Sequence, residues 1–157
     1  MIRRSLLLAL LIAPSLAWAQ DTTKAQPDLP KEKLVIVTKA GTRHDFQVEM
    51  AIDPAQQTVG LMFRKSVPAD GGMLFDWGTA RDSTMWMRNT VSALDMVFIN
   101  ADGTIRRVAE NTVPESLATI ESRGPVRATL ELAAGTAKRL DIHAGDTVQQ
   151  RIFGNAN

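Results

Sequence analysis

The chain has 157 residues, with 18 Lys and Arg against 17 Asp and Glu, and it contains no Cys. Without Cys there can be no disulfides, thiolate catalysis, thiolate metal ligation or lipid-modified Cys anchor. The near balance of charge, +1 in formal terms, leaves no electrostatic footprint for nucleic acid or an anionic membrane surface.

Arg3 and Arg4 precede an apolar stretch from Ser5 to Leu16 that Pro14 interrupts. Ala17-Trp18-Ala19 follows, with small residues where a signal peptidase reads them. Residues 1–19 therefore read as a signal peptide cleaved between Ala19 and Gln20. The apolar stretch, about 15 residues, is short of the ~20 needed to span a bilayer. Export would place one domain in the periplasm or outside the cell, with no membrane contact after cleavage. It would also remove Arg3 and Arg4, leaving 16 basic groups against 17 acidic ones.

Asp21 to Glu32 is polar, carries Pro27 and Pro30, and is expected to be a flexible tether. The folded domain is expected over 33–153, with 154–157 a loose tail. Leu34 to Thr38 and Arg43 to Ile52 read as a hairpin turning near Gly41. Phe46, Val48, Met50 and Ile52 point to one side, and Gln47, Glu49 and Ala51 to the other. Asp53-Pro54 supplies an N-cap and a first-turn proline for a short helix over 55–63 whose inner side is Val59, Met62 and Phe63.

Gly71-Gly72 is expected in a loop, followed by short strands at Met73–Phe75 and Thr84–Met87. Leu94 to Ile99 is a strand, Asp102-Gly103 a turn, and Thr104 to Val108 its partner. Further short strands are expected at Thr119–Ser122 and Ala128–Leu132. A short helix follows at Gly135–Leu140, then a turn at Ala144-Gly145-Asp146 and a last strand at Thr147–Phe153. About eight short strands and two short helices argue a mainly β (α+β) domain: a small, mainly antiparallel barrel or half-barrel.

The segments QQTVGLMFRKSVPADGGMLFDW, MWMRNTVSALDMVFINADGTI and LELAAGTAKRLDIHAGD resemble the domain-of-unknown-function family DUF192 of bacteria and archaea. The resemblance spans roughly Glu49 to Val148. It departs where the family has a proline before the Leu-Asp pair and this chain has Ala93. It implies a small, often exported β-rich domain and no established reaction.

Three constellations could carry chemistry. Arg64, Arg88, Asn89, Thr90, Asp95 and Glu131 are polar residues beside apolar runs, so they are expected to be partly buried and paired. They could line a pocket in which arginine forks meet a carboxylate or a sugar hydroxyl. The competing reading is an internal ion-pair network that fastens a barrel corner. Trp77, among Asp76, Gly78, Arg81 and Asp82, offers a surface for carbohydrate, or else folds onto the barrel.

Met85 and Met87 flank Trp86 at a spacing that would put both thioethers on one face of a strand. Thioethers suit Cu(I), although Met more often fills cores. His44 and His143 are expected at solvated turns. No serine has a nucleophile-elbow context, and two His without Cys make a poor zinc set. Asp95 with Glu131 is the carboxylate pair a hydrolase could use. Gly71-Gly72 lacks the context of a phosphate loop, and no cofactor is expected. The leading expectation is a non-enzymatic module that binds a small molecule, a glycan or a protein.

Overall fold

The computed structural model describes residues 21–156. The expected signal peptide and its cleavage junction lie outside them. Seven strands form one sheet: β1 (Lys31–Val37), β2 (Arg43–Ala51), β3 (Gly71–Met85), β4 (Leu94–Ile99), β5 (Ile105–Ala109), β6 (Ile120–Ala133) and β7 (Thr147–Gln149). Their spatial order is β5-β4-β6-β3-β2-β1-β7. The sheet curls until its two edges meet through a Thr104–Thr147 bridge and the bonds Ile105 N–H to Asp146 O and Val148 N–H to Gly103 O. The result is a nearly closed barrel with two short helices.

The expected hairpin is β1–β2, with Lys31 opposite Glu49 and Val37 opposite Arg43. Phe46, Val48 and Met50 face the core. Ile52 does not: it follows the last strand residue and is 58% exposed, because the pleat that set its side ends at Ala51. Asp53 caps α1 (Pro54–Val59) through a reciprocal capping box with Gln56. The helix ends four residues earlier than the expected Phe63. At Gly60 the backbone turns to φ +50°, and a Cβ there would lie 2.9 Å from the Phe75 ring. Val59 and Met62 are buried as expected, and Phe63 is half-buried.

β3 runs parallel to β2, the one parallel pair in the sheet. The α1 segment is the crossover that such pairing requires. Gly71 and Gly72 begin β3 rather than forming a loop; a Cβ at Gly72 would meet the Glu131 carbonyl at 2.4 Å. The two short strands expected at 73–75 and 84–87 are one continuous strand. Those expected at 119–122 and 128–132 are likewise one, β6. The two long strands pair from Met73–Glu131 to Met85–Ile120, with register shifts between Asp76 and Arg81 and between Asp82 and Thr84. Those bulges let an exposed, polar stretch stay in the ladder. The last expected strand stops at Gln149 and gives way to a 3-10 turn over Arg151–Phe153.

The tether expected over Asp21 to Glu32 is corrected from Gln26 onward. Gln26 donates to the Gln56 and Gly60 carbonyls, the Leu29 N–H donates to Glu49, and Pro30 O accepts from Met50 N–H. The tail is also partly tied down, because Asn155 bonds Val148 O and Gln150 N–H.

Two apolar clusters lie on the two faces of the sheet. The barrel interior holds Leu34, Ile36, Phe46, Val48, Leu74, Val97, Ile99 and Leu130. The outer face of β3, β6 and β4 is covered by chain segments that bury Leu61, Met73, Phe75, Met87, Leu94, Met96 and Phe98. β4 alternates between the two and is buried throughout. Helix α2 (Thr136–Leu140) follows β6, and its Ala137 joins the interior cluster. Among the described residues no helix is long and apolar enough to cross a membrane.

Candidate functional site

The outer face of β6 carries Thr129 and Glu131, two residues apart and therefore on one side of the strand. Glu131 lies between Met73 on β3 and Met96 on β4, both fully buried. Its own exposure is 4%. Burial pushes its carboxyl pKa up to about 8, with no hydrogen bond or ion pair to oppose the shift. Glu131 borders a cavity of about 30 Å³, together with Met62, Met85, Trp86 and Thr90.

That cavity shares Gln57, Thr58, Met85 and Trp86 with an open groove of about 420 Å³ lined also by Trp77, Arg81 and Thr84. Trp77 is held in place by a bond from Nε1 to Thr129 Oγ1 at 3.3 Å and packs 5.7 Å from the Phe75 ring. The Arg81 guanidinium lies 4.4 Å from the Trp77 ring centre, and that of Arg88 5.5 Å from the Trp86 ring centre. Trp86 is 47% exposed. The groove is therefore an aromatic and cationic surface that narrows to a buried carboxyl.

The expected polar cluster is only partly assembled. Thr90 and Glu131 share the small cavity, Trp77 lines the groove, and Arg88 covers Trp86. Asn89, in a left-handed conformation, reaches Met62 Sδ at 3.9 Å. Arg64 and Asp95 are engaged elsewhere. Arg64 bonds Glu49 at 3.1 Å and Asp28 at 2.6 Å, beside a separate cleft of about 170 Å³. Asp95 is fully buried on β4 and accepts from Asn111 N–H at 2.9 Å and Ala137 N–H at 2.8 Å. It ties a loop and the start of α2 to the strand, so both oxygens already have partners. The carboxylate pair expected of Asp95 and Glu131 does not form a site: Glu131 is the one carboxyl among the described residues lining its cavity.

Met85 and Met87 do not act together. Met85 lines the groove, whereas Met87 is fully buried and its Sδ accepts from Thr112 Oγ1. The strand ends at Met85, so the two-residue alternation no longer sets the direction of Met87. His44 is not at a turn but within β2, half-buried, with Nε2 shielded and unpartnered. His143 is exposed and bonds Asp141. Ser83, Ser92, Ser116 and Ser122 bond backbone or other hydroxyls, never a histidine.

Sequence reasoning missed Gln57, Thr58 and Met62 as parts of the site, and Glu49 and Asp28 as partners of Arg64. The signal for Glu49 was present: it is an acid on the supposedly solvent side of β2, flanked by apolar residues. Another open groove, about 330 Å³, runs between β5 and the first half of β6. There Arg106 and Arg107 bond the Arg123 and Glu121 carbonyls across the gap, and its two carboxyls, Glu110 and Glu121, are exposed to solvent.

Residues 35–150 match the family DUF192, described as an Uncharacterized ACR. A proposed transcription regulator from Sinorhizobium meliloti 1021 is similar in structure, with a TM-score of 0.78 and 48% identity, over 82% of this chain and 99% of that one. A protein of unknown function from Novosphingobium aromaticivorans DSM 12444 is similar at a TM-score of 0.76 and 36% identity, over 80% and 91% of the two chains. No curated protein matches the chain.

Proposed function

Because the chain belongs to the uncharacterised family DUF192, its task has to be read from its own residues, and we propose that it is an exported, non-enzymatic module that binds a polyhydroxylated ligand such as a glycan segment in the Trp77–Trp86 groove. The observation that carries this reading is Trp86, a large ring left 47% exposed at the mouth of a groove. Exposed aromatic surface rimmed by polar groups marks a binding face. The indole faces suit the C–H side of a sugar ring. Gln57, Thr58, Arg81 and Thr84 supply donors and acceptors for its hydroxyls.

Export rests on the n-region, apolar stretch and cleavage pattern of residues 1–19. The regulator label of the Sinorhizobium relative is not carried over, since a formal net charge of +1 gives no overall attraction to nucleic acid.

The test is native mass spectrometry of protein recovered from a periplasmic fraction, followed by titration with a panel of neutral oligosaccharides monitored by tryptophan fluorescence. The expected result is a mature chain starting at Gln20 with saturable binding. Trp86→Ala is expected to weaken that binding by roughly tenfold or more with an unchanged circular dichroism spectrum. A full-length chain confined to the cytoplasm would overturn export. No saturable response to any oligosaccharide would overturn the ligand class.

A further inference from the structure

We propose that the small cavity beneath the groove is a binding site for one soft monovalent cation, Cu(I) or Ag(I), held by the Glu131 carboxylate and the thioethers of Met62 and Met85 against the Trp86 ring. This site lies below the groove and stands whether or not a glycan binds there.

Four observations converge on it. Glu131 is an acid, 4% exposed, that no described residue bonds; a buried polar group without a partner points to a missing one. The cavity it borders, about 30 Å³, has room for one water-sized occupant. Met62 and Met85 come from different parts of the chain, one after α1 and one at the end of β3, yet line the same cavity. Trp86 borders it too, and an indole ring can face a cation.

The donor set selects the kind of ion. Ca²⁺ and Mg²⁺ need about six or more oxygen ligands, more than the one carboxyl, two hydroxyls (Thr58 and Thr90) and one amide (Gln57) that the side chains lining the cavity offer. Zinc prefers His and Cys, and among the described residues no group of three His, Cys, Asp or Glu could hold a metal. Thioethers are soft ligands and select Cu(I)-like ions. A single positive charge also matches a single carboxylate, leaving the buried site neutral.

The experiment titrates the protein with Ag(I) in chloride-free buffer, reading tryptophan fluorescence and native mass. Wild type is expected to take one ion per chain at micromolar metal and quench its fluorescence. Glu131→Gln and the Met62→Leu/Met85→Leu pair should each weaken binding by roughly tenfold or more. Met50→Leu, a thioether of the barrel interior, should leave it unchanged. Circular dichroism of each variant reports folding, and the isosteric Glu131→Gln keeps the test open if the methionine pair fails to fold. The proposal is overturned by absent one-to-one binding, by wild-type affinity in Glu131→Gln, or by equal affinity for Ca²⁺ or Zn²⁺.

Discussion

Two acids sit on neighbouring strands of the same sheet, Asp95 on β4 opposite Leu132 and Glu131 on β6 opposite Met96, and both are almost wholly buried. Around Asp95 everything is matched. Each oxygen accepts a backbone N–H, and nearby Thr112 Oγ1 accepts from the N–H of Leu94. The cavity beside Glu131 is lined by thioethers, aromatic rings, the Thr58 and Thr90 hydroxyls and the Gln57 amide, yet the carboxyl is unmatched. Burial of an acid thus says little about its role. The supply of donors around it separates a structural tie from a site kept free for something else.

The largest expected effect comes from breaking the matched side. Asp95→Ala should cost about 3–5 kcal/mol, because it strands two donors and removes charge-assisted bonds. Urea denaturation measures it, and a loss below about 1 kcal/mol would mean that these bonds are replaceable.

Glu131→Gln should act in the opposite direction and only at higher pH. The native pKa lies near 8 and the ordinary value near 4.5, so between these limits the native state holds a proton the unfolded state has lost. Wild-type stability should therefore be greatest below about pH 4.5 as far as this group is concerned. It should fall as pH rises towards 8 and then level off. The total is on the order of 3–5 kcal/mol. Glu131→Gln should remove this slope and be the more stable protein at pH 8. Parallel stability–pH curves for the two proteins would show that Glu131 finds a partner.

The smallest effect compares two threonines. Thr112→Val, on the matched side, should cost about 1–2 kcal/mol by leaving Leu94 N–H without its acceptor. Thr90→Val, on the unmatched side, should stay within about 0.5 kcal/mol, since its hydroxyl reaches only the Arg88 carbonyl, at 3.3 Å. Equal thermal shifts would erase the distinction between the two regions.

Much of the fold was legible in the sequence. β4 was placed to the residue because five of its six positions are apolar and Asn100 with the Asp102-Gly103 turn closes it. The Asp53 cap and the Gly41 and Gly103 turns follow from side-chain chemistry within a few residues. The length of β3 was not legible, because Gly78 to Asp82 is exposed and without large apolar residues and stays in the sheet by backbone pairing with β6, across bulges that local pattern does not encode. The tether failed for a similar reason: Gln26 and Leu29 are held by groups 20 or more residues away.

The site was legible as a list of residues and not as an arrangement. Of the seven expected ligand residues, Trp77, Arg88, Asn89, Thr90 and Glu131 gather at or beside the groove and its inner cavity. Arg64 turns instead to Glu49 and Asp28. By itself the sequence determined the alternation of the strands, the cap, the turns, and that acids would be buried beside apolar runs, because these follow from neighbours in the chain. Only the tertiary structure decided which buried acid finds partners. The donors to Asp95 come from 16 and 42 residues away, and it is strand register that sets Glu131 between two methionines with no donor in reach.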